Sequence, residues 1–141
     1  MIAKLILCVF LIRATITDIT KRKIENRIVI GMLIGRVAIS IGNYWCGQTI
    51  IFDVNTASSQ LIITIVLTLF YFIGRDNIGA GDIKLLLAGQ LFFEDKELIP
   101  WFMLMSISTM ITSFIVGKQK RLPLAPFVLF STLIIAIVNY I

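Results

Sequence analysis

Histidine is absent from the 141-residue sequence, and cysteine and proline are scarce. Without histidine, the most versatile general base and the commonest metal ligand are both missing. The two cysteines, Cys8 and Cys46, have no CxxC partner, so neither a zinc site nor a thioredoxin-like redox site is expected. We therefore expect no metal and no cofactor, which leaves carboxylates, hydroxyls and lysines for any chemistry.

Charged residues are also scarce, at 15% of the chain, whereas ordinary globular domains hold roughly a quarter. Hydrophobic residues make up 58% of the sequence, and the polar residues are too clustered to coat a soluble core of that composition. We expect a single domain over residues 1–141, embedded in a lipid bilayer. The net charge of +5 gives no case for nucleic acid, because membrane topology accounts for it.

The apolar residues predict an all-α, polytopic membrane protein with about six transmembrane helices. The six apolar segments are Met1–Thr17, Ile28–Ile41, Ala57–Gly74, Ile83–Phe93, Leu98–Gly117 and Leu124–Ile141. About 20 residues span a bilayer as a helix. The fourth segment is shorter, so we expect a helix that is short, tilted or extended by Glu94–Glu97, with a re-entrant segment as the alternative. If Glu94–Glu97 does not extend this helix, we expect these four residues to lie outside the membrane and in contact with water.

Basic residues indicate the orientation in the membrane. Nine of the 13 lysines and arginines lie in three alternate loops, Thr20–Arg27, Arg75–Lys84 and Lys118–Arg121. Six spans would put these loops on one side, which the positive-inside rule makes cytoplasmic. Both termini would then lie outside.

The second helix carries three further signals. Asn26 precedes it and suits an N-cap. Gly31 and Gly35 form a GxxxG pair on one face, which would permit close helix packing. Arg36 lies deep in the same helix, so we expect it to face the bundle interior or water, with a partner that the sequence does not identify.

Two carboxylates occupy matching positions on the expected cytoplasmic side. Asp18 ends the first apolar run and Asp82 precedes the fourth, so six spans place both at about the same membrane depth. Two carboxylates held close share a proton, so one can act as a base and the other as an acid. This is aspartic protease chemistry, which needs neither metal nor histidine. The alternative for residues 79–82 is a plain Gly-Asp turn between two helices.

Three motifs, in this order, resemble those of the type IV prepilin peptidases, a branch of the GxGD integral membrane aspartic proteases. The first is an aspartate at the end of the first helix, followed by Ile-Pro-Asn; here Asp18–Asn26 reads DITKRKIEN. The second is Gly-x-Gly-Asp-x-Lys, matched by Gly79–Lys84. The third is a proline- and phenylalanine-rich element before the last helix, here Leu122–Phe127 (LPLAPF).

The resemblance implies that Asp18 and Asp82 are the catalytic pair. It implies that Gly79 and Gly81 shape the segment presenting Asp82, and that Lys84 either orients or tunes the site or serves only as a positive membrane anchor. The implied substrate is a prepilin-like membrane protein (a pilin, pseudopilin or preflagellin) whose basic leader is cleaved at the cytoplasmic membrane face.

The sequence departs from the family pattern at Glu25, which replaces the proline and adds a third acid near Asp18. It also lacks the CxxC region of the bifunctional members, so it resembles the short members and leaves N-methylation in doubt. A second hypothesis is a non-catalytic assembly or transport protein that uses the two aspartates as a proton or ion relay. A third is a GxGD protease with other substrates. The oligomeric state stays open.

Overall fold

The computed structural model describes residues 2–45, 54–73, 79–116 and 123–140. Within these ranges the chain is all-helical, without strands, as the apolar segments predict. The helices are α1 (Ile2–Lys21), α2 (Asn26–Trp45), α3 (Val54–Ile73), α4 (Ala80–Gln90), α5 (Asp95–Val116) and α6 (Ala125–Val138). The sequence-based statements on Cys46, Arg75, Lys118–Arg121 and Leu122 fall outside the described residues.

Three of these helices are long and apolar enough to cross a membrane, judged by length and composition. They cover Asn26–Trp45, Asn55–Ile73 and Asp95–Ile115. α6 is apolar but has only 14 residues, and α4 has 11, which is about 16 Å of helix against a hydrocarbon core of about 30 Å. The apolar helices favour a membrane protein, and six spans stay a prediction.

Trp101 on α5 joins three helices in the core. Its side chain is fully buried, and its indole Nε1–H donates to Thr132 Oγ1 on α6 at 3.0 Å. The ring stacks on Phe93 at a centroid distance of 4.6 Å, and a Cβ added to Gly89 on α4 would lie 3.2 Å from it. A buried indole needs a partner for its N–H, so this contact fixes how α5 and α6 face each other.

α1 and α2 pack closely through the predicted GxxxG face. The Phe10 ring of α1 lies over both glycines: an added Cβ would come within 2.7 Å of it at Gly31 and 3.5 Å at Gly35. The expectation of close packing is confirmed, with an aromatic ring as the covering group. Arg36, one residue further on, is half-buried beside an open cavity of about 310 Å³, and no carboxylate of the described residues pairs with it.

Of the options for the fourth segment, the short helix agrees with the 11 residues of α4. Extension by Glu94–Glu97 is wrong, because α4 ends at Gln90 and Asp95 is already the first residue of α5. Glu97 is also not solvated, since only 7% of its surface is exposed. Its Oε1 accepts hydrogen bonds from Lys4 Nζ and Asn139 Nδ2, and its Oε2 accepts from the Glu94 N–H at 3.1 Å. A buried carboxylate needs such partners, and these come from the ends of three helices.

We call this region, around Glu97 at the starts of α1 and α5 and the end of α6, the glutamate end. The opposite end of the bundle holds the end of α1 and the starts of α2, α4 and α6. We call it the aspartate end, because Asp18 and Asp82 both lie there.

Candidate active site

Asp18 lies in the last turn of α1, with its side chain in the bundle. Only 6% of its surface is exposed. The helix ends three residues later, where Arg22 adopts a left-handed conformation with φ of 50° and its N–H donates to the Asp18 carbonyl at 2.9 Å. A left-handed residue after the last turn is a common helix stop. The chain therefore leaves the helix after Lys21, while Asp18 stays within it.

The Asp18 carboxylate contacts the first residue of α6. Its Oδ2 accepts a hydrogen bond from the Ala125 N–H at 3.0 Å, and both groups are buried. The first N–H groups of a helix have no partner within it, and they carry the positive end of the helix dipole. Asp18 therefore caps α6 from a position 107 residues earlier in the chain.

Asp82 is the third residue of α4 and is half-buried. Its N–H donates to the Gly79 carbonyl at 3.0 Å, which closes the first turn. Gly79 has φ of −68° and ψ of 128°, a conformation open to any residue, so its backbone does not require glycine. An added Cβ would lie 2.9 Å from Asp82 Oδ2, so the carboxylate would have to shift from its present position. The missing side chain thus makes room for the carboxylate.

The start of α4 packs against the connection between α1 and α2. A Cβ at Gly81 would lie 3.2 Å from the Cβ of the buried Ile24. Lys84 Nζ donates to Asn26 Oδ1 at 3.3 Å across an exposed surface. Asn26 is the first residue of α2, and among the described residues its side chain bonds to Lys84 and not to a backbone N–H, so the predicted N-cap is wrong. The first two motifs therefore meet.

Asp18 and Asp82 interact electrostatically. Asp82 precedes the fourth apolar segment and lies outside the three helices long enough to cross a membrane. Burial, and to a smaller extent the nearby negative charge of Asp18, together raise the pKa of Asp82 to about 6. Below about pH 6, Asp82 is therefore mostly protonated, and the two side chains together can hold one proton.

The sequence matches the model of the type IV leader peptidase family over residues 5–140. The chain belongs to this family. No curated protein and no solved structure matches it. The family assignment confirms the resemblance drawn from the three motifs. It supports a peptidase of prepilin-peptidase-like function, and together with the apolar helices it indicates a membrane protein.

Glu25 is the third acid that the sequence of this leader peptidase family member places near Asp18. Glu25, which stands where the family has proline, pairs with Lys21 at 3.4 Å within an exposed i,i+4 arrangement. Among the described residues, no group of three or more histidine, cysteine, aspartate or glutamate side chains could hold a metal ion. The expectation of a site without metal or cofactor stays a prediction.

Sequence reasoning missed the Ala125 N–H. The motif Leu122–Phe127 includes Ala125, but the resemblance assigns no role to this residue or to its backbone. A backbone donor leaves no residue-type signal, so its contact with Asp18 becomes visible only when α1 and α6 are packed together.

Proposed function

We propose that this family member is an aspartic endopeptidase that removes the basic leader from prepilin-like precursors at the cytoplasmic face of the cell membrane. The observation that carries the proposal is the coupled pair of Asp18, buried, and Asp82, half-buried, at one end of the bundle. Catalytic carboxylates in aspartic proteases work as such a pair, sharing a proton because two adjacent charges cannot both form cheaply.

The first step of the proposed reaction adds water to the scissile carbonyl. Asp82, whose pKa is raised to about 6, carries the shared proton, and Asp18 is the base. Asp18 takes a proton from water as the water oxygen bonds to the carbonyl carbon. Asp82 gives its proton to the carbonyl oxygen, so the tetrahedral intermediate is a neutral diol.

The second step breaks the C–N bond. The nitrogen of the leaving amine takes the proton held by Asp18, and one diol hydroxyl returns its proton to Asp82 as the carbonyl forms again. The products are a carboxylic acid and an amine, and both aspartates regain their starting states. The cycle needs neither a metal nor a cofactor.

The substrate class follows from the family and the distribution of charge. Basic residues of the described ranges cluster at the aspartate end: Lys21, Arg22, Lys23, Arg27 and Lys84. The positive-inside rule makes that end cytoplasmic. A short basic leader stays on the same side of the membrane for the same reason, which brings the bond before the apolar helix of the substrate to the depth of Asp18 and Asp82.

The other motif residues support Asp82 in this proposal. Gly79 leaves room for its carboxylate, and Gly81 lets the start of α4 approach Ile24. Lys84 and Asn26 tie the second motif to the first through their hydrogen bond.

A cleavage assay tests the proposal. The chain is co-expressed with a prepilin-like precursor, and the shift in substrate mobility is followed for the parent, Asp18→Asn and Asp82→Asn. Asparagine keeps the size and polarity of the side chain but cannot exchange the proton. Asp95→Asn is the matched control, since it makes the same change at the glutamate end, where Asp95 accepts a hydrogen bond from Ser59.

We expect the parent and Asp95→Asn to cleave, and both site variants to be inactive while inserted in the membrane at normal levels. Full cleavage by either site variant would remove that residue from the mechanism. A parent chain that cleaves none of several precursors would favour the relay hypothesis instead.

A further inference from the structure

We propose that the Ala125 N–H is a positioning group for catalysis: it binds Oδ2 of Asp18 and thereby aims Oδ1 at the attacking water. This inference rests on the proposed function, in which Asp18 is the base. It adds a role for the start of α6, where no side chain points to catalysis. α6 has no ionisable side chain, so it acts on Asp18 through its backbone.

The sequence at the start of α6 leaves one free donor in the first turn. Leu124 is the N-cap and Ala125 the first helical residue. Pro126 has no N–H. The N–H groups of Phe127 and Val128 both donate to the Leu124 carbonyl, at 3.0 and 3.2 Å. The Ala125 N–H is thus the donor that remains, and it is the one that meets Asp18.

Burial prevents water from taking the place of either partner in this hydrogen bond. Ala125 is fully buried and Asp18 is 6% exposed, so water has little access to either partner. A hydrogen bond to an ionised acceptor away from water is stronger than a neutral one and holds the side chain in one rotamer. Among the described residues, nothing donates to Oδ1 of Asp18, which leaves that oxygen for the substrate water.

A single-atom change tests the proposal. Replacing Ala125 with lactic acid, its hydroxy-acid counterpart, turns the N–H into an ester oxygen and keeps the side chain. The matched control replaces Phe127 with phenyllactic acid, which removes an N–H of the same helical turn that bonds only to Leu124. Both chains, and the parent, are reconstituted in vesicles and assayed with a prepilin-like precursor.

We expect the ester at position 125 to lower kcat about 10- to 100-fold with KM unchanged, because a misaimed base slows the chemical step and not binding. The ester at position 127 should stay within about twofold of the parent. Ala125→Pro and Ala125→Gly provide a second pair, since proline removes the N–H and glycine keeps it. Only the proline variant should repeat the loss of kcat.

Equal kcat values for the two esters would overturn the proposal. So would a loss of activity in the ester at position 125 that is fully accounted for by a smaller fraction of folded protein. In either case the hydrogen bond is a helix cap and nothing more. A parent that is inactive on every precursor overturns the proposed function and this inference together. An active parent with an unaffected ester at position 125 overturns this inference alone.

Discussion

Asp18 and Asp82 have chemically identical side chains, but their surroundings differ. Asp18 is buried and accepts a hydrogen bond from the Ala125 N–H. Asp82 is half-buried beside that negative charge, and its pKa is raised to about 6. The proposed mechanism uses this difference in environment, with Asp18 as the base and Asp82 as the acid.

The pH dependence of cleavage should report on Asp82. A carboxyl group with a raised pKa stays protonated below that pKa and loses its proton as the pH rises through it. Since the proposed acid works only when protonated, kcat/KM should be highest below about pH 6 and fall up to tenfold per pH unit above it. Initial rates between pH 4.5 and 9 measure this, and a flat profile from pH 5 to 8 would contradict it.

Gly79→Ala should impair catalysis by displacing Asp82. The new Cβ would lie 2.9 Å from Asp82 Oδ2, so the carboxylate must move, although the backbone at position 79 accepts alanine. We expect kcat to fall about tenfold or more at normal membrane levels of the protein. Ala80→Ser, a change of similar size at the next, exposed residue, is the control. An active Gly79→Ala variant would show that the glycine is not needed for space.

At the residue scale, the two aspartates could be singled out from the sequence because charges are rare in so apolar a chain. The structure brings them close enough to interact, and their catalytic role stays a prediction. The sequence could not predict what surrounds them. The Ala125 N–H belongs to the backbone and the space at Gly79 depends on packing, so neither can be predicted from residue type. The role of Asn26 was misjudged for a related reason, since its partner Lys84 is 58 residues away.

α1, which carries Asp18 near its end, packs closely against α2. Phe10 fills the face left open by Gly31 and Gly35. The same two helices are joined at the aspartate end by the connection that carries Ile24, on which the start of α4 rests. The site therefore depends on where these helices meet.

Gly31→Ala should destabilise the protein, because the new methyl group would lie 2.7 Å from the Phe10 ring. Forcing an extra carbon into such a contact costs about 1–3 kcal/mol. Gly42→Ala is the control on the same helix, since nothing lies within 4 Å of an added Cβ there, and it should be neutral or stabilising by up to about 1 kcal/mol. Thermal unfolding of the purified protein in detergent compares them, and equal shifts would contradict this packing.

At the element scale, apolar runs were sufficient to predict the helices but not their ends. α5 begins at Asp95, three residues before the apolar segment, because the Glu97 carboxylate accepts the Glu94 N–H and completes the first turn. Four charged residues in a row look like a solvated loop. The contacts with Lys4, 93 residues away, and with Asn139 explain why Glu97 is buried instead.

The whole bundle is held at two opposite ends by buried carboxylates. Asp18 joins α1 to α6 at the aspartate end. Glu97 joins α5 to the start of α1 and the end of α6 through Lys4 and Asn139. The second cluster is far from the proposed chemistry, so we assign it to stability.

Glu97→Ala should therefore destabilise the protein strongly and Glu94→Ala only slightly. The Lys4 and Glu97 side chains are 14% and 8% exposed, and removing one partner of a buried pair costs about 3–5 kcal/mol. Glu94 pairs with Lys96 at the surface, where a pair contributes about 0–1 kcal/mol. A double-mutant cycle with Lys4→Met should recover part of the loss at Glu97. If the losses in unfolding free energy for Lys4→Met and Glu97→Ala simply add in the double variant, Lys4 and Glu97 do not stabilise each other.

The most direct measurement is the cleavage rate of purified protein in vesicles for the parent, Asp18→Asn, Asp82→Asn and the double variant. Groups that act as one catalytic unit are strongly non-additive, so either single change should lower the rate as far as both together. We predict one common residual rate for the three variants. Losses that multiply in the double variant, or a single variant that retains the parent's rate, would contradict a shared-proton pair of Asp18 and Asp82.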